Sequence, residues 1–371
     1  LVPLPGHTPG HVGVEIDNAS DPTLITADLF HHPLQCCYPH WNTRFCLDPL
    51  KSRATRLNAM AELAHKNTTV MPAHFPSPNA GKIEVVKHDD PDAARGHVFN
   101  ENMVKYHAYL LERAGNLSPI EIDYGSDPYQ SVGIFPAENP DGRVLLFFHG
   151  GGWTNGYKEW MYFMAPALNA LGITFVSAGY RLAPNHLFPV GFQDCARALD
   201  WVGKNIHAYG ADPEKIFVSG HSAGGHYAAL LAVVREAVPG MSCSAHVRGC
   251  APLSGIYYFG ENAGMAVRPR FLGVPGTQTD DAASPLKHLK PGLPPFLLTW
   301  GEEDFPHLKR QGQEMAAALK KHEIPVETLE LPGCNHFTAS YAAGDVNGLW
   351  PTTFDKWSGT LAETAASRAR S

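Results

Sequence analysis

Over the carboxyl-terminal two-thirds of the chain, short unbroken apolar runs alternate with stretches of helical periodicity. The runs are RVLLFFHG (143–150), GITFVSAGY (172–180), KIFVSG (215–220), VRGCAPLSG (247–255), PPFLLTWG (294–301) and PVETLELPG (325–333), and each ends in Gly or a turn. Runs of this kind predict strands buried on both faces of a parallel sheet. Between most of them lie helical stretches such as QDCARALDWVGKNIHAYG and HLKRQGQEMAAALKKH. Alternating βα units of this sort imply an α/β sandwich, a mostly parallel central sheet with helices on both faces.

Residues 1 to about 90 read differently. They are rich in His and Pro and carry the strand-like runs HVGVEI, TLITADLF and TTVMPAHF, with a helical stretch, KSRATRLNAMAELAHK, before the third. The charged segment KHDDPDAARGHVFN (87–100) has no apolar periodicity, which predicts a boundary between a segment 1–95 and a catalytic domain 96–371. ENMVKYHAYLLERAG (101–115) predicts a helix whose apolar face holds Val104, Tyr106, Tyr109, Leu110 and Leu111. The patterning begins directly at Leu1, as expected of a piece of a larger parent or of a chain cut inside a domain.

Composition narrows the function classes. Of 371 residues, 44% are hydrophobic and 18% charged, an ordinary enzyme balance. The net charge of −7 leaves no basic stripe for phosphates, so nucleic acid is not an expected partner. No apolar run reaches bilayer length and no signal-peptide pattern opens the chain, so a soluble, cytoplasmic protein without a membrane partner is expected. The seven cysteines are scattered and form no C-x-x-C pair, which predicts reduced thiols.

The chemistry concentrates at three places. In KIFVSGHSAGGHYAALLAV a strand meets a helix through Gly220-His221-Ser222-Ala223-Gly224, the context a nucleophile elbow requires. The alternative reading, a tight βα turn with an incidental serine, loses ground to what accompanies it. Upstream, His149-Gly150-Gly151-Gly152-Trp153 follows the strand RVLLFF. Glycines there let backbone N–H groups converge on one oxygen, and one such donor is worth about 3 kcal/mol in a transition state. A serine hydroxyl also needs a base and an orienting acid, which on this strand–helix plan follow in the order acid, then His. His336, just past PVETLELPG, predicts the base. Among Glu302, Glu303 and Asp304, the furthest beyond its strand is Asp304, which predicts the acid; Glu302 and Glu303 are expected to be solvated loop charges, and His307 and His322 surface residues.

YRLAPNHLFPVGFQDCARALDWV, GADPEKIFVSGHSAGG, HGGGW and ASPLKHLKPGLPPFLLTWGEED together resemble the hormone-sensitive-lipase-like esterases over about residues 120–340. The resemblance implies an α/β-hydrolase fold, a cap over the site and hydrolysis of short-chain carboxylic esters. It also implies an oxyanion hole from the N–H groups of Gly151, Gly152 and Ala223. Two departures stand out: His221 replaces the Asp of G-D-S-A-G-G, and Asn335-His336-Phe337 replaces H-G-F. With LSGIYYF (253–259) and FPHLKRQG (305–312), these are similar to kynurenine formamidases (arylformamidases), which implies an arylamide substrate as the alternative. Trp153, Tyr157, Trp160 and Tyr257 are candidates for an aromatic substrate pocket, with core packing the competing reading.

In the first segment, PGHTPGHVGVEI, TADLFHHPLQ and VMPAHFPSPNAGKI resemble the later motifs of the metallo-β-lactamase superfamily, its lactonase-like members especially. That resemblance implies a partial fold of that type with His7, Asp28 and His74 as vestigial metal ligands. The first motif, H-x-H-x-D-H, is absent, so no metal and no cofactor is expected to act here. The expectation is a serine carboxylesterase with a small-molecule substrate. Its first segment is read as structural, burying its bare apolar faces against the hydrolase or a second copy in a homodimer. The rival reading treats that segment as the functional part, an interaction module or the remnant of a zinc lactonase.

Overall fold

The computed structural model describes all residues except 19–20, 33, 38–42, 44–45, 76–78, 84–100, 235–246, 261–262, 266, 274–278 and 369–371. The chain divides into two units, Leu1–Lys105 and Tyr106–Ser371. The expected boundary at 87–100 lies outside the described residues.

The first unit is a five-stranded sheet in sequential order: β1 (Val2–Pro3), β2 (Val12–Ile16), β3 (Thr23–Ala27), β4 (Thr69–Pro72) and β5 (Gly81–Lys82). Only β3 and β4 run parallel, because the helix Pro49–His65 lies between them in the chain. Asp48 starts that helix by accepting the Lys51 N–H at 2.9 Å, and Pro49 follows where no donor is missed. Leu63 from the helix joins Leu4, Leu24, Leu29, Phe30 and Val70 in a small core. The strand pleat turns Val12, Val14 and Ile16 the other way, leaving them 42%, 43% and 48% exposed.

The second unit is an eight-stranded sheet. Its strands are β6 (Ile120–Asp123), β7 (Ser131–Phe135), β8 (Val144–Phe148), β9 (Thr174–Ala178), β10 (Ile216–His221), β11 (Val247–Leu253), β12 (Phe296–Glu303) and β13 (Val326–Asn335), ordered β13-β12-β11-β10-β8-β9-β7-β6. From β9 through β13 all neighbours are parallel, and β7 and β6 close one edge antiparallel. The sheet is covered on both faces, as its unbroken apolar runs predict. Ile216 and Val218 of β10 share a core with Phe192, Leu199 and Val202 of the helix Val190–Asn205 and with the helix Ala223–Val234. Phe217, one residue out of phase, meets Phe354 and Trp357 of the helix Leu349–Arg368 on the other face.

Two expectations are corrected, and two strands were not foreseen. PVETLELPG is not buried on both faces: β13 is an edge strand with mostly exposed residues, since only β12 adjoins it. β6 and β7 escape the apolar pattern, because IEID is half charged and Gly133 interrupts SVGIF. Glu302 and Glu303 are not in a loop, since β12 runs on to Glu303. Among the described residues no helix is long and apolar enough to cross a membrane, and Cys46, Cys195, Cys250 and Cys334 are free thiols.

Arg143, at the start of β8, ties the last helix to the sheet. Its guanidinium pairs with Asp141 and with Asp355 (2.7 Å) and donates to Ser358 Oγ (2.7 Å) and the Asp355 carbonyl (2.8 Å). Truncating one partner of a buried pair strands the remaining charges, although both carboxylates here keep some water contact. Arg143→Met should therefore lower unfolding stability by about 2 kcal/mol in urea titration.

Candidate active site

β10 ends at His221, the chain turns at Ser222 with φ of +54°, and the helix Ala223–Val234 begins at once. So sharp a turn needs glycine on both sides. A Cβ on Gly220 would lie 2.3 Å from the backbone of Gly224, and a Cβ on Gly224 would lie 2.0 Å from the Phe148 carbonyl oxygen. The Ser222 N–H donates to the Leu253 carbonyl at 2.9 Å, and the Ser222 carbonyl accepts the His226 N–H at 3.0 Å. The strained residue is thereby fixed on either side, and its hydroxyl projects from the turn.

Three predicted residues meet there. Ser222 Oγ is 3.0 Å from His336 Nε2, and His336 Nδ1 is 2.9 Å from Asp304 Oδ1. His336 opens the helix His336–Ala342, whose N-cap Asn335 accepts the Phe337 and Thr338 N–H groups at 3.0 Å while Thr338 Oγ1 accepts the Asn335 N–H at 2.8 Å. This reciprocal cap fixes the backbone from which the imidazole projects. Asp304 is 5% exposed, whereas Glu302 and Glu303 face solvent. Burial alone would raise the Asp304 pKa. The bond and charge of His336, the Ser254 hydroxyl and the Phe305 N–H outweigh it and hold the carboxyl down at about 2. Glu302 is tied elsewhere, accepting the Gly333 N–H at 2.8 Å.

The glycine loop after β8 lies against this centre. A Cβ on Gly150 would come within 2.9 Å of His221 Nδ1 and 3.4 Å of Ser222 Cβ. Gly151 and Gly152 take φ of +115° and +61°. His149 stacks on Tyr180 (4.2 Å between centroids, 6° between planes), and the Tyr180 hydroxyl donates back to the His149 carbonyl at 2.8 Å.

The four aromatic candidates are interior residues, none more than 2% exposed. Trp153 stacks on Phe271 at 4.2 Å and donates its N–H to His226 Nδ1 at 3.1 Å. Tyr157 and Trp160 both bond His107 Nδ1, at 2.5 and 2.9 Å. Tyr257 sits over Gly255, where a Cβ would meet its hydroxyl at 2.8 Å. Beside His336, Phe305 is an aromatic with a broad solvent face, 45% exposed, its ring 4.9 Å from that of His336. His307, expected on the surface, is half-buried and stacks on Phe305 at 5.8 Å, and His322 is half-buried too. Phe305 lay unremarked in FPHLKRQG because an apolar residue after a strand reads as the start of the next helix.

In the first unit, the three metal candidates come together around Asp28. His74 Nε2 is 2.8 Å from Asp28 Oδ1, and His7 Nε2 is 3.8 Å from Oδ2. Sequence reasoning missed a fourth member, His31, whose Nε2 is 3.7 Å from Oδ1; the spacing Asp28-x-x-His31 was the available signal. His7, Asp28 and His31 bring one ligand atom each within 4.8 Å of one another. Burial pushes Asp28 up, but the bond from His74 and the charges of His7 and His31 prevail and lower it.

The profile of the alpha/beta hydrolase fold family matches residues 145–340, more than half of the chain, and the chain belongs to that family. Among its relatives is Esterase LipQ of Mycobacterium tuberculosis (strain ATCC 25618 / H37Rv), 33% identical over 210 residues, which cover 52% of this chain and 49% of the relative. Carboxylesterase NlhH of the same strain is 34% identical over 218 residues, 54% of this chain and 67% of the relative. The chain thus spans about half the length of the first of these. Of solved structures, Esterase B from Lactobacillus Rhamnosis (HN001) superposes with a TM-score of 0.61 at 20% identity, over 72% of this chain and 95% of that one, a likeness of fold.

Two buried histidines beside the site make stability depend on pH. His221 is lowered to about 3 and His226 to about 4 from 6.5, in both cases first by desolvation. Between those values and 6.5 the unfolded chain binds more protons than the native one, so stability rises with pH across that window and is lost as pH falls through it. The urea midpoint should therefore fall steadily from pH 7 to 4.5. His226→Leu should flatten that slope, whatever it does to absolute stability; a midpoint indifferent to pH in the wild type would contradict the burial argument.

Proposed function

We propose that residues 106–371 form a serine carboxylesterase acting on short-acyl esters through an acyl-enzyme. The observation that carries this reading is the unbroken line from Ser222 Oγ through the His336 ring to Asp304. Asp304 accepts the Nδ1 proton, so the Nε2 lone pair faces the serine hydroxyl. As Ser222 Oγ bonds to the ester carbonyl carbon, its proton passes to Nε2, and the imidazolium that forms is stabilised by Asp304. The carbonyl oxygen becomes an oxyanion held by the N–H groups of Gly151, Gly152 and Ala223. Collapse expels the alcohol, which takes the proton from His336. Water, deprotonated by His336, then attacks the acyl-serine, and the acid leaves as Ser222 regains its proton.

Esters are the leading substrates because the relatives are named esterases. One further relative, Arylacetamide deacetylase of Bos taurus, is 41% identical over 95 residues, 24% of each chain, and its name favours testing aryl amides as well. Phe305 beside His336 supplies an exposed aromatic surface where an aryl leaving group would rest. A panel of p-nitrophenyl esters beside N-formylkynurenine separates the esterase from the arylformamidase reading.

For the first unit we propose a structural role, supported by the exposed row Val12, Val14 and Ile16. The imidazole and carboxylate donors of His7, Asp28 and His31, with His74 beside them, fit one zinc-class ion. Such an ion would supply Lewis acidity where it is bound. No step of ester hydrolysis passes through these residues.

Ser222→Ala should abolish p-nitrophenyl butyrate hydrolysis without unfolding the chain, and more than a few per cent of residual activity would refute the assignment. Asp304→Asn should lower turnover by about 10⁴ through loss of imidazole orientation, whereas Glu302→Gln and Glu303→Gln should change it little; the reverse pattern would name a different acid. Incubation with a chelator should leave ester hydrolysis unchanged, and inactivation reversed by added zinc would overturn the structural role of the first unit.

A further inference from the structure

His221 ends β10 immediately before the serine, yet it lies off the proton path. Its Nε2 is 2.9 Å from the main-chain carbonyl oxygen of His336. A carbonyl can only accept, so Nε2 carries the proton and donates it. Burial, then the neighbouring His336, push the His221 pKa down to about 3, and the bond to the His336 carbonyl and the charge of Asp304 only partly oppose this. The imidazole is therefore neutral at working pH, with its single proton committed to that bond. Nδ1 is left as a buried acceptor without a hydrogen-bond partner among the described residues, turned toward Gly150. The ring also lies against the His336 ring, 4.8 Å between centroids. One side chain thus touches three segments: the serine turn, the glycine loop after β8 and the capped turn after β13.

We propose that His221 is a positioning residue for the serine hydrolase reaction, its Nε2–H holding the His336 main chain so that the imidazole stays in line with Ser222 Oγ through both proton transfers. The proposal rests on the reading of Ser222, His336 and Asp304 as the triad. The Asn335 cap bonds the N–H groups of Phe337 and Thr338, on the helical side of His336. The His221 bond supplies another direction, because it runs from the residue adjoining the nucleophile to the residue bearing the base. An ionised carboxylate at this position could not make this bond, since it and the carbonyl both only accept; in this chain the bond depends on the imidazole N–H. The donor must also have the right reach. The amide nitrogen of Gln stands as many bonds from Cα as His Nε2 does, and that of Asn one fewer.

The test compares the full chain with His221→Gln, His221→Asn and His221→Leu. Two rates are read: kcat and KM on p-nitrophenyl butyrate, and the second-order labelling of Ser222 by an alkyl fluorophosphonate. In the labelling an Oγ–P bond forms, the P–F bond breaks, and fluoride leaves as His336 takes the serine proton. A displacement of the base by about 1 Å is worth about 10²-fold. His221→Leu and His221→Asn should therefore lose about 100-fold in kcat and in labelling with KM little changed, while His221→Gln recovers most of both. If Leu fails to fold, the Gln–Asn contrast still decides, since both are neutral amides of similar polarity. Wild-type rates in Leu or Asn would overturn the proposal, as would Gln no better than Asn, or losses that follow the melting temperatures of all three. Failure of the wild type to label at Ser222 would instead sink the triad reading, and this proposal with it.

Discussion

The close approach of the helix Ala223–Val234 to strands β8 and β10 is the constraint on which the site depends. Where a Cβ on Gly224 would lie only 2.0 Å from the Phe148 carbonyl oxygen, the helix has reached the backbone of the sheet itself. That contact forces Ser222 into a positive φ. It also brings Gly150 against both His221 and Ser222. Every residue of the helix is buried, so the strain of the turn is held by packing on all sides. The strained residue persists because the surrounding structure leaves it no other conformation.

Such deep burial sets the electrostatics. In a dry interior a polar group must be paired or neutral. Asp304 remains ionised because His336, Ser254 and the Phe305 N–H all bond it. His221 and His226 have carbonyl acceptors instead of carboxylates, and so remain neutral. Identical rings therefore meet different partners: the His336 ring a carboxylate, the His221 and His226 rings main-chain carbonyls. Trp153, whose N–H is taken up by His226, belongs to this fixed framework.

The first unit follows the same physics with less to bury. Its core holds six apolar side chains beneath one helix, and the polar chemistry gathers at the other resource it has, the ring of histidines about Asp28.

The parallel strands β8 to β12 and the helices between them were legible in the chain, because a strand buried on two faces must be apolar throughout and the intervening helices must show one apolar stripe. That Ser222, Asp304 and His336 would meet was legible for a related reason: residues just beyond the carboxyl ends of neighbouring parallel strands share one edge of the sheet, so order along the chain predicts neighbourhood in space. The edge strands β6 and β13 were read poorly because edges bury only part of their surface. Other features had no local signature at all. His221 reaches the carbonyl of His336 across 115 positions, and Trp153, Tyr157 and Trp160 turn inward to His226 and His107. Sequence alone determined which residues have the chemistry and which strand each follows. Only the tertiary structure decided which donor meets which acceptor, because hydrogen bonds are made across distances of about 3 Å between segments that the chain order leaves far apart.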